Sequence, residues 1–161
     1  MLAIAIVWAG SAPRPDALIS ADGRNVAVRG TDGRLHLLRS GKDAFAVKEW
    51  LAADADARSA ADASLGDGIS CDKAGCVTQT ADGAFVALSL RPEALADDCE
   101  RAALIVTARQ VPSGCRASVI DAERLRRQGA LALRRTNDGF AVEVVKPRGI
   151  DRPWSPSAEP R

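Results

Sequence analysis

The chain has 161 residues, 47% hydrophobic and 27% charged, with a formal net charge of +1. That is enough apolar material for one domain with its own core. A single histidine argues against a histidine-rich catalytic metal centre, and the absence of tyrosine argues against an aromatic surface for stacking bases or sugars.

From the N-terminus, Leu2 to Ala9 is almost wholly apolar, and Gly10, Ser11, Pro13 and Pro15 end the run. A membrane span needs about 20 apolar residues, so this stretch is too short by itself, and no basic segment precedes it as in a secretory leader. Residues 1–14 are therefore expected to be the end of a truncated transmembrane helix or an apolar leader, 15–146 a single globular domain, and 147–161 a proline-rich irregular tail.

Asp-Gly pairs at Asp22-Gly23, Asp32-Gly33, Asp82-Gly83 and Asp138-Gly139 separate short apolar runs, with a further pair at Asp67-Gly68. Such pairs tolerate positive φ and close hairpins. Strands are expected over Ala17 to Ser20, Asn25 to Arg29 and Arg34 to Arg39. In the third of these His36 falls on the face opposite Leu35 and Leu37 and reads as solvated. A helix from Asp43 to Ala53 presents Phe45, Val47, Trp50 and Leu51 on one broad face, with Trp50 in the core. The Ala, Asp and Ser stretch from Ala52 to Asp67 reads as an exposed loop.

Beyond it, Cys76 to Thr80 and Phe85 to Leu90 form a second hairpin. Pro92 opens a helix that turns Leu95, Cys99 and Ala102 to one side. Ala103 to Thr107 and Ser118 to Asp121 suit buried strands, and a short basic helix follows over Ala122 to Gln128. Asp121, directly before it, is placed to accept the free amides of its first turn. Ala130 to Arg135 and Phe140 to Val145 make the last hairpin. The expected fold is α/β in the α+β sense: short hairpins, a mixed sheet and about three helices.

The cysteines Cys71, Cys76, Cys99 and Cys115 are separated by 4, 22 and 15 residues, unlike the paired short knuckles of a structural zinc site. Disulfides are the preferred reading, against buried free thiols or an all-cysteine zinc site, and they imply an oxidising compartment. Of the three connectivities open to four cysteines, local pairing is expected. Gly75 lies in a short turn between Cys71 and Cys76, and the Pro112-Ser113-Gly114 turn returns Cys115 toward the inward-facing Cys99.

Charge is unevenly spread: residues 1–40 hold five basic and three acidic side chains, 41–100 five and twelve, and 101–161 twelve and six. Arg124, Arg126, Arg127, Arg134 and Arg135 in the basic third are candidates for contact with nucleic-acid phosphates, and a solvated helix face with an exposed strand is the alternative. No phosphate loop, Gly-x-Ser-x-Gly elbow or Cys-x-x-Cys pair is present. Asp97, Asp98 and Glu100 crowd one helix but point to different sides. No catalytic residue, metal ligand or cofactor is assigned.

Five segments carry a resemblance: Cys-Asp-Lys-Ala-Gly-Cys from Cys71, Arg-Pro-Glu-Ala-Leu-Ala-Asp-Asp-Cys from Arg91, Val-Ile-Asp from Val119, Gly-Ala-Leu-Ala-Leu from Gly129, and Asp-Arg-Pro-Trp-Ser-Pro from Asp151. Together they resemble the C-terminal region of alphaproteobacterial ComEC competence proteins, channels that carry single-stranded DNA across the cytoplasmic membrane in natural transformation. The resemblance runs from about Pro15 to Pro156 and implies a transmembrane bundle of the same protein as partner, single-stranded DNA as cargo, and a soluble domain on the periplasmic side of the inner membrane. In many relatives this domain is similar to a metallo-β-lactamase. The histidines and aspartates that hold two metals there have no counterpart in this sequence, so the implied domain is a reduced, non-catalytic form of that layered frame. The alternative is a stand-alone exported binding module or enzyme whose site lacks a sequence signature.

Overall fold

A computed structural model of the chain describes residues 14–39 and 44–144. The expectations for residues 1–13 and 145–161, including the apolar run and the tail, lie outside the described residues, as does the first residue of the expected helix at Asp43. None of the described helices is long and apolar enough to cross a membrane.

Strands β1 (Ala17–Ile19), β2 (Asn25–Arg29) and β3 (Leu35–Arg39) are joined by the two Asp-Gly turns the sequence predicts, with Gly23 at φ +68° and Gly33 at +74°. Both angles favour glycine because it lacks a Cβ. Helix α1 (Phe45–Ala53) and a short 3-10 helix (Ala63–Gly66) follow. Next come β4 (Ser70–Cys71), β5 (Gly75–Gln79), β6 (Phe85–Ser89), α2 (Pro92–Arg101), β7 (Leu104–Thr107) and β8 (Ser118–Asp121). The described chain closes with α3 (Ala122–Gln128), β9 (Leu131–Thr136) and β10 (Gly139–Val144).

The α+β class with three helices is as expected, and the strands divide between two five-stranded sheets. One sheet, in the order β10-β9-β1-β2-β3, is antiparallel throughout. The other, β4-β5-β6-β7-β8, is antiparallel through β6, then parallel from β6 to β8. The parallel half exists because α2 and the long 108–117 connection each carry the chain back to the starting end of the sheet, whereas a two-residue turn reverses it.

Strand periodicity then sorts the side chains into four layers. Ile19, Val28 and Leu38 of the antiparallel sheet meet Val86, Leu104 and Ile120 of the mixed sheet in a central core. The outer face of the antiparallel sheet presents Ala27, Leu35 and Leu37 to Val47 and Leu51 of α1, and to Ala60 and Leu65. On the other side, Ala87 and Ile105 of the mixed sheet are covered by Leu95 and Cys99 of α2. The order is helix, sheet, sheet, helix. Each fully buried Leu, Ile or Val contributes roughly 1.5–3 kcal/mol, so these three contact zones dominate stability.

Two readings of the outer layer are corrected. The broad face of α1 narrows to Val47 and Leu51: Phe45 is 70% exposed and Trp50 is only partly covered, because the sheet below offers a narrow apolar strip. The 52–67 segment is not simply an exposed loop. Ala60 and Leu65 are buried, and three arginines clamp the segment to the sheet. Arg29 binds Asp54 through both ends of its guanidinium at 3.0 and 2.8 Å, Arg58 binds Asp56 at 2.6 Å and the Leu35 carbonyl at 2.7 Å, and Arg39 binds the Ala60 carbonyl at 2.8 Å. Planar guanidinium forks match carboxylate and carbonyl groups in this way, and composition alone hides them.

The Arg58 hydrogen bond, against the opposing effect of burial, holds the Asp56 carboxyl well below the ordinary value, at about 2. A carboxylate that is more acidic when folded stabilises the fold above its unfolded pKa, and that contribution disappears as the folded group protonates. Stability is therefore expected to fall as pH drops from about 4 toward 2, and Asp56→Asn should flatten that part of the curve in urea titrations at stepped pH. An Asp56→Asn protein with the parent's acid slope would contradict this assignment.

Candidate functional site

Both disulfides belong to the mixed sheet and the α2 layer that covers it. Cys71 and Cys76 face each other across β4 and β5 and are joined at an S–S distance of 2.09 Å. Asp72 shapes the turn between them by accepting the amides of Ala74 and Gly75 at 2.7 and 3.0 Å, which also lowers its own pKa. Gly75 is required there: a Cβ would run into the Leu88 backbone carbonyl. The second disulfide joins Cys99, on the buried face of α2, to Cys115 in the connection before β8. No cysteine is free, and the pairing is the local one expected.

His36 does lie on the face opposite Leu35 and Leu37, beside Val28, but it is not solvated. Its side chain is 14% exposed, its Nε2 is 3.0 Å from Asp32 Oδ1, and the ring packs over Gly30, where a Cβ would come within 2.7 Å. The missing side chain at Gly30 makes room for the ring, a signal that alternation along one strand does not carry. Asp32 is held below its ordinary pKa chiefly by this hydrogen bond. The chain's one imidazole is thus held on β3 against the β2–β3 turn.

The five candidate arginines do not form one patch. Arg124, Arg126 and Arg127 sit on α3, beside the β1–β2 turn, where Gly23 packs against Leu125. Arg134 and Arg135 lie toward the far end of β9, roughly 10–13 Å along the strand from Leu131 at about 3.3 Å per residue. Arg124 donates to Gln128 Oε1 at 2.9 Å, Arg127 pairs with Glu123 at 2.5 Å, and Arg134 with Glu143 at 3.3 Å. Arg135 bridges the two sheets: it donates to Asp82 at 2.9 Å in the β5–β6 turn and lies 5.1 Å over the Phe140 ring. Its amide also donates to Asp16 at 2.7 Å. Arg126 and Arg127 are the exposed members of the set.

Asp121 caps α3 as expected, accepting the Arg124 amide at 2.7 Å. Just inside this corner, where β6 and β7 end, a cleft of about 310 Å³ opens between the sheets. Leu88, Leu125, Ala122 and Ala108 supply apolar lining, and Arg24, from the β1–β2 turn, and Arg109, from the loop after β7, line it as well. Arg109 is braced by its Nε on the Leu90 carbonyl and its amide on Thr107 Oγ1, both at 3.1 Å. Asp22 is the acid that lines the cleft. Its carboxylate accepts the Ser20 hydroxyl at 2.5 Å and the Arg24 amide at 3.0 Å. Burial opposes these bonds and the neighbouring Arg24 charge, but together they hold its pKa below the ordinary value.

Sequence reasoning missed this cleft. Arg24 and Arg109 are 85 positions apart, and neither belongs to a motif. The available signal was positional: each follows a turn or buried strand at the end where parallel strands deliver their carboxyl termini, the usual place for ligands in α/β sheets. Among the described residues no group of three or more His, Cys, Asp and Glu side chains converges on one point. No family model, curated protein or solved structure matches the chain.

Proposed function

We propose that this chain is the non-catalytic, extracytoplasmic C-terminal domain of a ComEC-type channel in the inner membrane, which takes up single-stranded DNA in natural transformation. The two disulfides carry the reading, because paired cysteines persist in the periplasm and are reduced in the cytosol. The helix–sheet–sheet–helix layering is compatible with the layered frame that the sequence resemblance implies. Non-catalysis is supported by what His36, the chain's one imidazole, does: its ring is packed over Gly30 and bonded to Asp32. The domain then guides DNA or braces the pore, and its partner is the membrane bundle of the same protein.

The test is genetic. In a transformable strain that carries this gene, an in-frame deletion of codons 15–144 should abolish transformation while added DNA still enters the periplasm in nuclease-protected form. His36→Ala, in protein that accumulates to parental levels, should transform like the parent. Normal transformation after the deletion, or its loss in His36→Ala, would contradict the proposal. If Arg126 and Arg127 help to guide the strand, glutamates at both positions should weaken binding of any single-stranded sequence and flatten its salt dependence, since each lost phosphate contact removes about 0.7 from the logarithmic salt slope.

A further inference from the structure

We infer that the cleft at the ends of β6 and β7 is a binding site for a phosphate ester, with the phosphate held between Arg24 and Arg109 and a small apolar body against Leu88, Leu125 and Ala122. Three observations converge. The first is size and lining: about 310 Å³ is within the range of small-ligand sites, which combine an apolar surface with a few placed polar groups. The second is a pair of arginines, Arg24 and Arg109, which both line the cleft from loops far apart in sequence and whose guanidiniums are the side chains best shaped for phosphate oxygens. The Arg109 side chain is pre-positioned by its Nε on the Leu90 carbonyl, so less side-chain freedom is lost when an anion arrives.

The third observation is the surrounding charge. Asp22, the acid among the lining residues, already accepts the Ser20 hydroxyl and the Arg24 amide. Arg91 and Arg126 directly follow the lining residues Leu90 and Leu125 in sequence, and both are exposed at this end of the sandwich. Cations clustered around a low-dielectric recess raise the local concentration of anions. A second, acidic groove bordered by Asp72, Glu93, Asp97 and Asp98 adjoins the cleft, and its Asp98 accepts the hydroxyl of the lining residue Ser89 at 2.5 Å. The chemistry is shared by a free nucleotide and by one nucleotide unit of a single strand. The inference does not depend on the channel reading.

The experiment uses the full, oxidised 161-residue chain, labelled with nitrogen-15 and titrated separately with inorganic phosphate, thymidine, thymidine monophosphate and a short oligothymidylate. Thymidine monophosphate or the oligomer should shift the amides of Gly23, Ala108 and Arg109, and thymidine should not. Tighter binding of the oligomer per nucleotide identifies a strand as the source, and tighter binding of the monophosphate a free nucleotide. Arg24→Ala and Arg109→Ala should each weaken binding about tenfold or more, the loss typical of one hydrogen bond to a charged group. Arg101→Ala, which removes an exposed partner of Asp97, should bind like the parent. Thermal unfolding establishes that each variant is folded. The inference fails if neither ester moves these amides, if thymidine moves them equally, or if the folded Arg24 and Arg109 variants bind like the parent. Failure here would leave the transformation phenotype of the deletion untouched, so the two proposals fall separately.

Discussion

Leu104→Ala should lower the free energy of unfolding by about 2–5 kcal/mol, the range for truncating a fully buried leucine. Leu104 begins β7, a central strand of the mixed sheet, paired with Val86 on one side and Ser118 on the other. It is 0% exposed in the core between the sheets. The cost has two parts, lost transfer of the side chain from water and a cavity that facing residues cannot close because they belong to a second sheet with its own register. The same strand ends at Thr107 and supports Arg109, so any loosening should also be felt at the cleft. Urea unfolding of the oxidised protein, compared at equal slope, measures the effect. A loss under about 1 kcal/mol would mean that the two sheets do not pack through this residue.

Removing the Cys99–Cys115 disulfide by alanine at both positions should cost about 3 kcal/mol on the chain-entropy model, because it releases a loop with a sequence separation of 16. Cys99 also packs, with Leu95 of the same helix, against Ile105 of the sheet, so the exchange trims packing. The Cys71–Cys76 pair closes a separation of only 5 and should cost less, about 2 kcal/mol. Urea unfolding of the two double variants, side by side, tests the ranking. Equal losses, or a larger one for the shorter loop, would show that native-state packing outweighs loop entropy here.

Local signals in the sequence were read well. Asp22-Gly23, Asp32-Gly33, Asp82-Gly83 and Asp138-Gly139 all close hairpins, β8 and α3 have the expected limits, and Asp121 caps the helix beside it. These features depend on a few adjacent residues, where turn and capping chemistry is decided. The division into two sheets was not legible, because it rests on β1 pairing with β9 more than a hundred residues later. Alternation says which face of a strand is apolar and nothing about which strand lies beside it.

At the candidate site the same distinction holds. The cysteine pairs were legible because both loops are short. The split of the arginines between α3 and the far end of β9, the burial of His36 over Gly30, and the meeting of Arg24 with Arg109 all depend on contacts between distant segments. The 52–67 segment is the clearest case: Asp54, Asp56 and Arg58 look like solvated surface in sequence, and each is held by a partner elsewhere in the fold or two residues away.

The most direct test of an exported, oxidised domain is the state of its cysteines in the native host. Cells carrying the gene are quenched in acid, free thiols are alkylated, and the protein is digested without reduction for peptide mapping. The expected result is one peptide pair linked through Cys71 and Cys76, a second linked through Cys99 and Cys115, and no alkylated cysteine. Four alkylated thiols would place the domain in a reducing compartment and contradict the account.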